Sequence, residues 1–149
     1  MWSDVFYRAE QLHLLRLLLW AGLSIIVGTA LLVVDARAHR TALVGRFAKQ
    51  CIGWGLAELV LATIAYHDLA LRDFSSANRA ERLAWLGLGL YLGVAAAGVT
   101  LAVTTWRLRR TPAQDPARIL SGIGNGVGIA VQGLALALLE LLFVAQISR

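Results

Sequence analysis

The sequence predicts an all-α, polytopic membrane protein: a four-helix antiparallel transmembrane bundle, preceded by a short N-terminal interfacial helix. Hydrophobic residues form 58% of the 149 residues and charged residues only 15%, whereas a soluble domain carries about 25% charge. The charges also gather in short clusters between long uncharged stretches. This composition argues against a soluble enzyme, a disordered segment and a disulfide-stapled domain, and the single cysteine allows no internal disulfide.

Four apolar stretches predict spans at about 14–36, 46–68, 82–107 and 118–146, because a helix needs about 20 mostly apolar residues to cross a bilayer. Together they form one transmembrane domain over residues 1–149. The first and third spans contain long uncharged runs, the second is interrupted by Glu58, and the fourth carries Glu140. Since the connections are short, consecutive helices are expected to pack side by side and antiparallel.

Two helix ends have local signals. Trp2, Phe6, Ala9 and Leu12 recur at helical spacing, which predicts a short interfacial helix before the first span; a frayed polar tail is the alternative. Before the fourth span, Asp115-Pro116 provides an N-cap followed by proline at the first helical position.

The basic residues flank the apolar spans. Eight lie in or beside the first and third connections between spans, and six lie on the opposite side, where acids are interspersed. The positive-inside rule therefore predicts that the first and third connections are in the cytoplasm and that both termini are outside it. The expected location is a bacterial inner membrane. No nucleic-acid partner is expected, because a nucleic-acid binder gathers its basic residues on one solvated face.

Glycines are concentrated inside the spans. Gly89 and Gly93 form a small-xxx-small seam on the third span, and Gly124 and Gly128 form another on the fourth. Such seams allow membrane helices to approach closely, so we predict that these four residues mediate helix packing. A flexible or broken helix is the alternative. A dinucleotide-binding loop is not predicted, because no strand precedes the glycine-rich segment.

Glu58 is the most informative polar residue. Gly55, Glu58, Ala62 and Ala65 share one helix face, as expected of a helix that packs against protein. A carboxylate inside a membrane is costly and should take up a proton or find a partner. Three roles remain open for Glu58: a structural glutamate, a proton or cation site, or a contact with a subunit or cofactor.

The fourth span carries a rough polar stripe that should face the bundle interior. It consists of Asn125, Gln132 and Glu140. We predict Gln132 as the partner of Glu58.

His13 precedes the first span and His67 ends the second, so both are expected on the same side of the membrane. A metal or haem site shared between them is geometrically allowed, but solvation at the interface is the expectation for each. No metal or cofactor is predicted, although bound haem or pigment stays open. Cys51 is expected to be a small buried apolar residue.

The pattern is similar to a family of uncharacterised bacterial four-helix membrane proteins, known as a domain of unknown function. The likeness rests on Trp54, the small-residue stretch 89–98, and Gln132-Gly133 followed by Glu140. The family usually carries Asn and Asp in spans 2 and 3, where this chain has Gly55, Glu58, Gly87 and Tyr91. The resemblance implies the architecture and no activity.

These observations favour a non-enzymatic integral membrane protein whose partners are the lipid bilayer and copies of itself or other membrane subunits. It would act as a packing or accessory subunit of a homo-oligomer or a larger complex. The alternative is a small transporter in which Glu58 binds a proton or cation.

Overall fold

The computed structural model describes residues 2–38, 41–109 and 115–148. Within them the chain forms four α-helices and no strand: α1 (Trp2–Arg37), α2 (Ala42–His67), α3 (Phe74–Leu108) and α4 (Pro116–Ile147). All four are long and apolar enough to cross a membrane. The side chain of Trp2 and three arginines used to predict orientation, Arg40, Arg110 and Arg149, lie outside the described residues.

The helix starts follow from local capping chemistry. Asp115 accepts a hydrogen bond from the Ala117 backbone N–H at 3.0 Å, and Pro116 takes the first helical position, as the sequence predicts. Asp73 likewise caps α3, since its carboxylate accepts from the Ser76 N–H at 2.8 Å. These carboxylates satisfy backbone donors that have no partner within their own helix.

The helices form two hairpins joined through α4. Helix α4 packs against all three others, whereas α3 makes its extensive contacts with α4 alone. The predicted side-by-side packing is confirmed for α1–α2 and α3–α4, but it is wrong for α2–α3. In agreement with this arrangement, 44% of the most apolar stretch of α4 is buried within the chain, against 11% for α3.

The central place of α4 follows from small residues on two of its faces. A Cβ on Gly128 would lie 2.6 Å from Gln50 Cβ of α2, and one on Gly124 would overlap the Leu43 carbonyl. On another face, a Cβ on Gly126 would lie 2.5 Å from the Ala102 backbone nitrogen of α3. Both neighbours can therefore approach α4 more closely than any larger side chain would permit.

Among the described residues, the predicted packing of Gly89 and Gly93 does not occur. A Cβ built on either residue would have no described neighbour within 4 Å beyond its own helix backbone, and both residues are exposed. The face of α3 that meets α4 instead contains Ala95 and Gly98, both buried. The reason is rotational, because residues 95 and 98 occupy a different face of the helix from residues 89 and 93.

The N-terminal segment is not a separate interfacial helix. It is the start of α1, which is continuous over 36 residues. The apolar face of this segment packs against other helices. Phe6 and Ala9 belong to a buried apolar cluster with Ala77, Ala84, Phe143 and Val144. At the same end, the Arg72 Nε donates to Glu10 Oε2 at 2.8 Å, and this hydrogen bonding raises the pKa of the Arg72 guanidinium.

Candidate functional site

The buried polar side chains of the described residues are His13, Ser24, Glu58 and Gln132. They belong to two groups at different levels of the bundle. We call the first the carboxylate cluster, which consists of His13, Glu58, Tyr91 and Glu140. The second, the Gln132 group, consists of Trp20, Ser24 and Gln132.

The best-defined contact of the carboxylate cluster joins α1 and α4. The Nε2 atom of His13 lies 3.1 Å from Oε2 of Glu140, and both side chains are nearly buried. The imidazole ring also stacks on Phe143, with ring centroids 4.6 Å apart. Its Nδ1 atom is buried and has no hydrogen-bond partner among the described residues. One face and one nitrogen of the imidazole are therefore fixed by α4.

Helices α2 and α3 complete the cluster. Glu58 of α2 is only 5% exposed and lies within electrostatic range of Glu140 and His13. Tyr91 of α3 lies within electrostatic range of both carboxyl groups. Each of the four helices thus contributes one titratable side chain to the same region.

Small residues make room for the cluster. A Cβ on Gly87 would lie 3.1 Å from Oε1 of Glu140, so a larger residue there would crowd this carboxyl group. On α2, Gly55, Glu58 and Ala62 are buried on one face, whereas Ala65 is exposed. The interior position of Glu58 is therefore set by the small residues on either side of it.

The carboxylate cluster can exchange protons. Two carboxyl groups in one apolar region repel each other when both are ionised, and a single imidazolium offsets only one negative charge. The Tyr91 hydroxyl can donate or accept a hydrogen bond. These groups provide several sites among which a proton can be placed.

The Gln132 group connects α1 to α4 by direct hydrogen bonds. The Trp20 indole Nε1–H donates to Gln132 Oε1 at 2.9 Å, and Gln132 Nε2 donates to Ser24 Oγ at 3.3 Å. Gln132 is 1% exposed. Both ends of its amide are thus used, which is what a buried amide requires.

The prediction that Gln132 is the partner of Glu58 is therefore wrong. Gln132 precedes Glu140 by eight residues, which corresponds to about 12 Å along a helix. Glu58 lies within electrostatic range of Glu140, whereas the hydrogen-bond partners of Gln132 are Trp20 and Ser24.

The third member of the predicted polar stripe, Asn125, belongs to neither group. Its Oδ1 accepts a hydrogen bond from Gln50 Nε2 of α2 at 3.4 Å. The side chain also lines an open cavity at the opposite end of the bundle. The stripe thus divides into three separate environments along α4.

The two histidines predicted to share one side do not form a site together. His67 is exposed at the end of α2, whereas His13 is 7% exposed, so the expected interfacial solvation of His13 is wrong. The cause is the continuous helix α1, which holds His13 against Phe143. Within the described ranges, no group of three or more His, Cys, Asp or Glu side chains is placed to hold a metal ion.

The sequence reasoning missed Trp20 and Ser24 as polar partners and His13 as a buried one. The three residues are separated by seven and four positions, so they lie on one face of a helix. This spacing was the available signal for a polar seam on α1. Tyr91 had no comparable signal, since one phenol in an apolar helix is ordinary.

The chain belongs to a family of unknown function, DUF6992, whose model matches residues 16–141. The matched segment includes Gln132, Glu140 and Glu58 but begins after His13. No curated protein and no solved structure matches the chain.

Proposed function

We propose that this member of the family is a small, non-enzymatic integral membrane protein of the bacterial inner membrane. It acts as an accessory subunit that associates with copies of itself or with a larger membrane complex. The outer face of α3, formed by Gly89, Gly93 and the residues beside them, is the contact surface.

One observation carries this proposal: Gly89 and Gly93 are exposed, and a Cβ at either position would have no neighbour within 4 Å in the part of the chain that the structure describes. Glycine in a helix interior costs about 0.5–1 kcal/mol relative to alanine, and a surface that meets only lipid gains nothing from it. Membrane helices associate where small residues allow their backbones to approach. An exposed pair of glycines four residues apart therefore favours a helix from another polypeptide.

The test compares two exposed glycines. Gly93→Leu should abolish an oligomer or partner band in gentle detergent, because the larger side chain would hold the second helix away. Gly53→Leu is the matched control, since Gly53 of α2 is also exposed and also lacks neighbours within 4 Å. Equal behaviour of both variants, with or without loss of the band, would contradict the proposed surface.

The same proposal assigns an orientation. The eight-to-six distribution of basic residues favours a cytoplasmic location for the basic segments 37–49 and 107–118, which include the α1–α2 and α3–α4 connections, with both termini outside. Single cysteines at Ser76 and Ala113, in a Cys51→Ala background, test it. An impermeant reagent should label position 76 in intact cells and leave position 113 unlabelled, and the reverse pattern would overturn the orientation.

The carboxylate cluster supports a second candidate, a small transporter coupled to protons or cations. Two carboxyl groups, an imidazole and a phenol meet inside four apolar helices, where ionisable groups are commonly functional. Glu58→Gln should then fold normally but lose proton release induced by a cationic substrate. An absence of ligand-induced release from the wild type over pH 5 to 9 would leave a packing role for Glu58.

A further inference from the structure

The end of the bundle opposite the carboxylate cluster contains a polar cavity of about 520 Å³. It lies between the C-terminal end of α1 and the N-terminal turns of α2 and α4. Its charged and amide-bearing walls include Asp35, Arg46, Lys49, Arg118 and Asn125. A volume of this size is within the range of about 300–1,000 Å³ that holds small ligands.

The three cations of the cavity are available, whereas its carboxylates are occupied. No ion pair or hydrogen bond within the described residues engages the Arg46, Lys49 or Arg118 side chain. In contrast, Asp35 Oδ1 accepts from the Thr41 backbone N–H at 2.7 Å and from the Thr41 hydroxyl at 2.9 Å. Asp115 caps α4. The negative groups are thus held by backbone and hydroxyl donors, which leaves the cations for a ligand.

The cavity walls also carry neutral hydrogen-bond donors, which suit a negatively charged ligand as the cations do. Asn125 uses its Oδ1 as the acceptor for Gln50, so its amide nitrogen is the group left to donate. The Ser121 hydroxyl also lines the cavity.

We propose that this cavity binds a phosphate group, presented either by an anionic phospholipid or by a soluble phosphate compound. Guanidinium and ammonium groups with added N–H and O–H donors match the charge and the several acceptor oxygens of phosphate. The cavity lies where the helices end, at the level expected for lipid head groups, and basic pockets at such positions bind anionic lipids. The lipid source presupposes the membrane insertion proposed above, but the soluble source does not.

The experiment has two arms, which distinguish the two sources. In the first, protein purified in detergent with equal amounts of phosphatidylglycerol and phosphatidylcholine is analysed for retained lipid by native mass spectrometry. In the second, glycerol 3-phosphate is titrated into protein that holds only phosphatidylcholine, and the melting temperature is measured. Both arms compare the wild type with Arg46→Gln/Arg118→Gln and with a control, Arg79→Gln/Arg82→Gln, that removes the same charge at exposed positions of α3.

The wild type and the control should bind in one of the two arms, and the cavity variant should bind about tenfold more weakly, as expected when charge-assisted hydrogen bonds are lost. Binding in the first arm identifies the lipid, and binding in the second identifies a soluble phosphate.

Equal weakening in the control would reduce the effect to net charge and overturn the proposal, as would no binding in either arm. If the cavity variant does not fold, Lys49→Gln replaces it, and unchanged binding by that folded variant would also count against the site. Failure of the protein to insert into bilayers would contradict the membrane proposal alone, because the second arm still tests the cavity in detergent.

Discussion

His13 of α1 and Glu140 of α4 form a nearly buried pair, with Nε2 and Oε2 3.1 Å apart. Three residues further along α4, Phe143 stacks on the same imidazole. One turn of α4 therefore provides both the electrostatic and the aromatic partner of His13. This explains why the polar residue His13 can be buried against Phe143, which belongs to an apolar cluster with Phe6 and Ala9.

We expect the His13–Glu140 pair to stabilise the fold through a measurable coupling. His13→Leu and Glu140→Leu should each lower the free energy of unfolding by about 1–3 kcal/mol, because each leaves the other polar group buried without its partner. The double variant should lose less than the sum of the two, with a coupling of about 1 kcal/mol. Unfolding in detergent followed by circular dichroism measures all three. His67→Leu, at an exposed position, is the control and should change stability by less than about 0.5 kcal/mol; additive single effects would show that the pair is not coupled.

The Gln132 group makes a separate prediction. Gln132→Leu removes the acceptor of the Trp20 indole N–H and the donor to Ser24. The free energy of unfolding should fall by about 1–2 kcal/mol, since buried donors are costly to leave without a partner. In a Trp20→Phe background the same substitution should lower the free energy of unfolding by less, because the indole N–H that would lose its acceptor is absent. A loss of equal size in both backgrounds would mean that the Trp20 hydrogen bond contributes nothing.

The helices could be predicted from the sequence, but their neighbours could not. Long apolar runs and the Asp115-Pro116 signal locate the elements, because span length and capping are local properties. The pairing of helices depends on which small residues face which partner. Helix α4 has glycines on two faces, Gly124 and Gly126 among them, and a sequence does not show which of these faces meets α2 and which meets α3.

The same contrast between local and long-range information applies to the buried polar residues. Glu58 could be placed inside the bundle from its small neighbours Gly55 and Ala62. Its surroundings depend on the axial shift between α2 and α4, which no local pattern determines. An acid followed by three apolar residues occurs at 58–61 and again at 140–143, but a repeat of four residues is too short to establish that the two acids lie at the same level.

Two glycines of α3 should respond differently to the same substitution. A Cβ on Gly98 would overlap the Ala130 backbone nitrogen and lie 2.7 Å from the Gly126 carbonyl oxygen. Because backbone atoms cannot rotate away, Gly98→Ala should lower the free energy of unfolding by about 1–3 kcal/mol. In the monomer, a Cβ on Gly89 has no neighbour among the described residues within 4 Å, so Gly89→Ala should raise the free energy of unfolding by about 0.5–1 kcal/mol, since alanine is the better helix former. Thermal denaturation of the two variants in a detergent that keeps the protein monomeric provides the measurement, and a destabilised Gly89→Ala monomer would show that this face packs within the chain.

The start of α3 should make stability depend on pH in the acidic range. Hydrogen bonds from Ser76 and, less strongly, from Ser75 lower the pKa of the Asp73 carboxyl below its ordinary value. An unfolded chain therefore binds this proton more readily than the folded chain does. The stabilising contribution is complete above the unfolded pKa of about 3.9 and is lost as the pH falls through the lower folded value.

The measurement is the melting temperature of the wild type and of Asp73→Asn between pH 7 and pH 2. Asparagine keeps the capping geometry but carries no charge, so it isolates the titration of this one carboxyl from that of the other acids. The difference between the two proteins should be constant at neutral pH and should shrink below about pH 4. Since the site is exposed, high salt should reduce the difference at neutral pH, where the carboxylate is charged. A difference that grows as the pH falls would require a raised pKa, and would contradict the role of the Ser76 hydrogen bonds at this helix end.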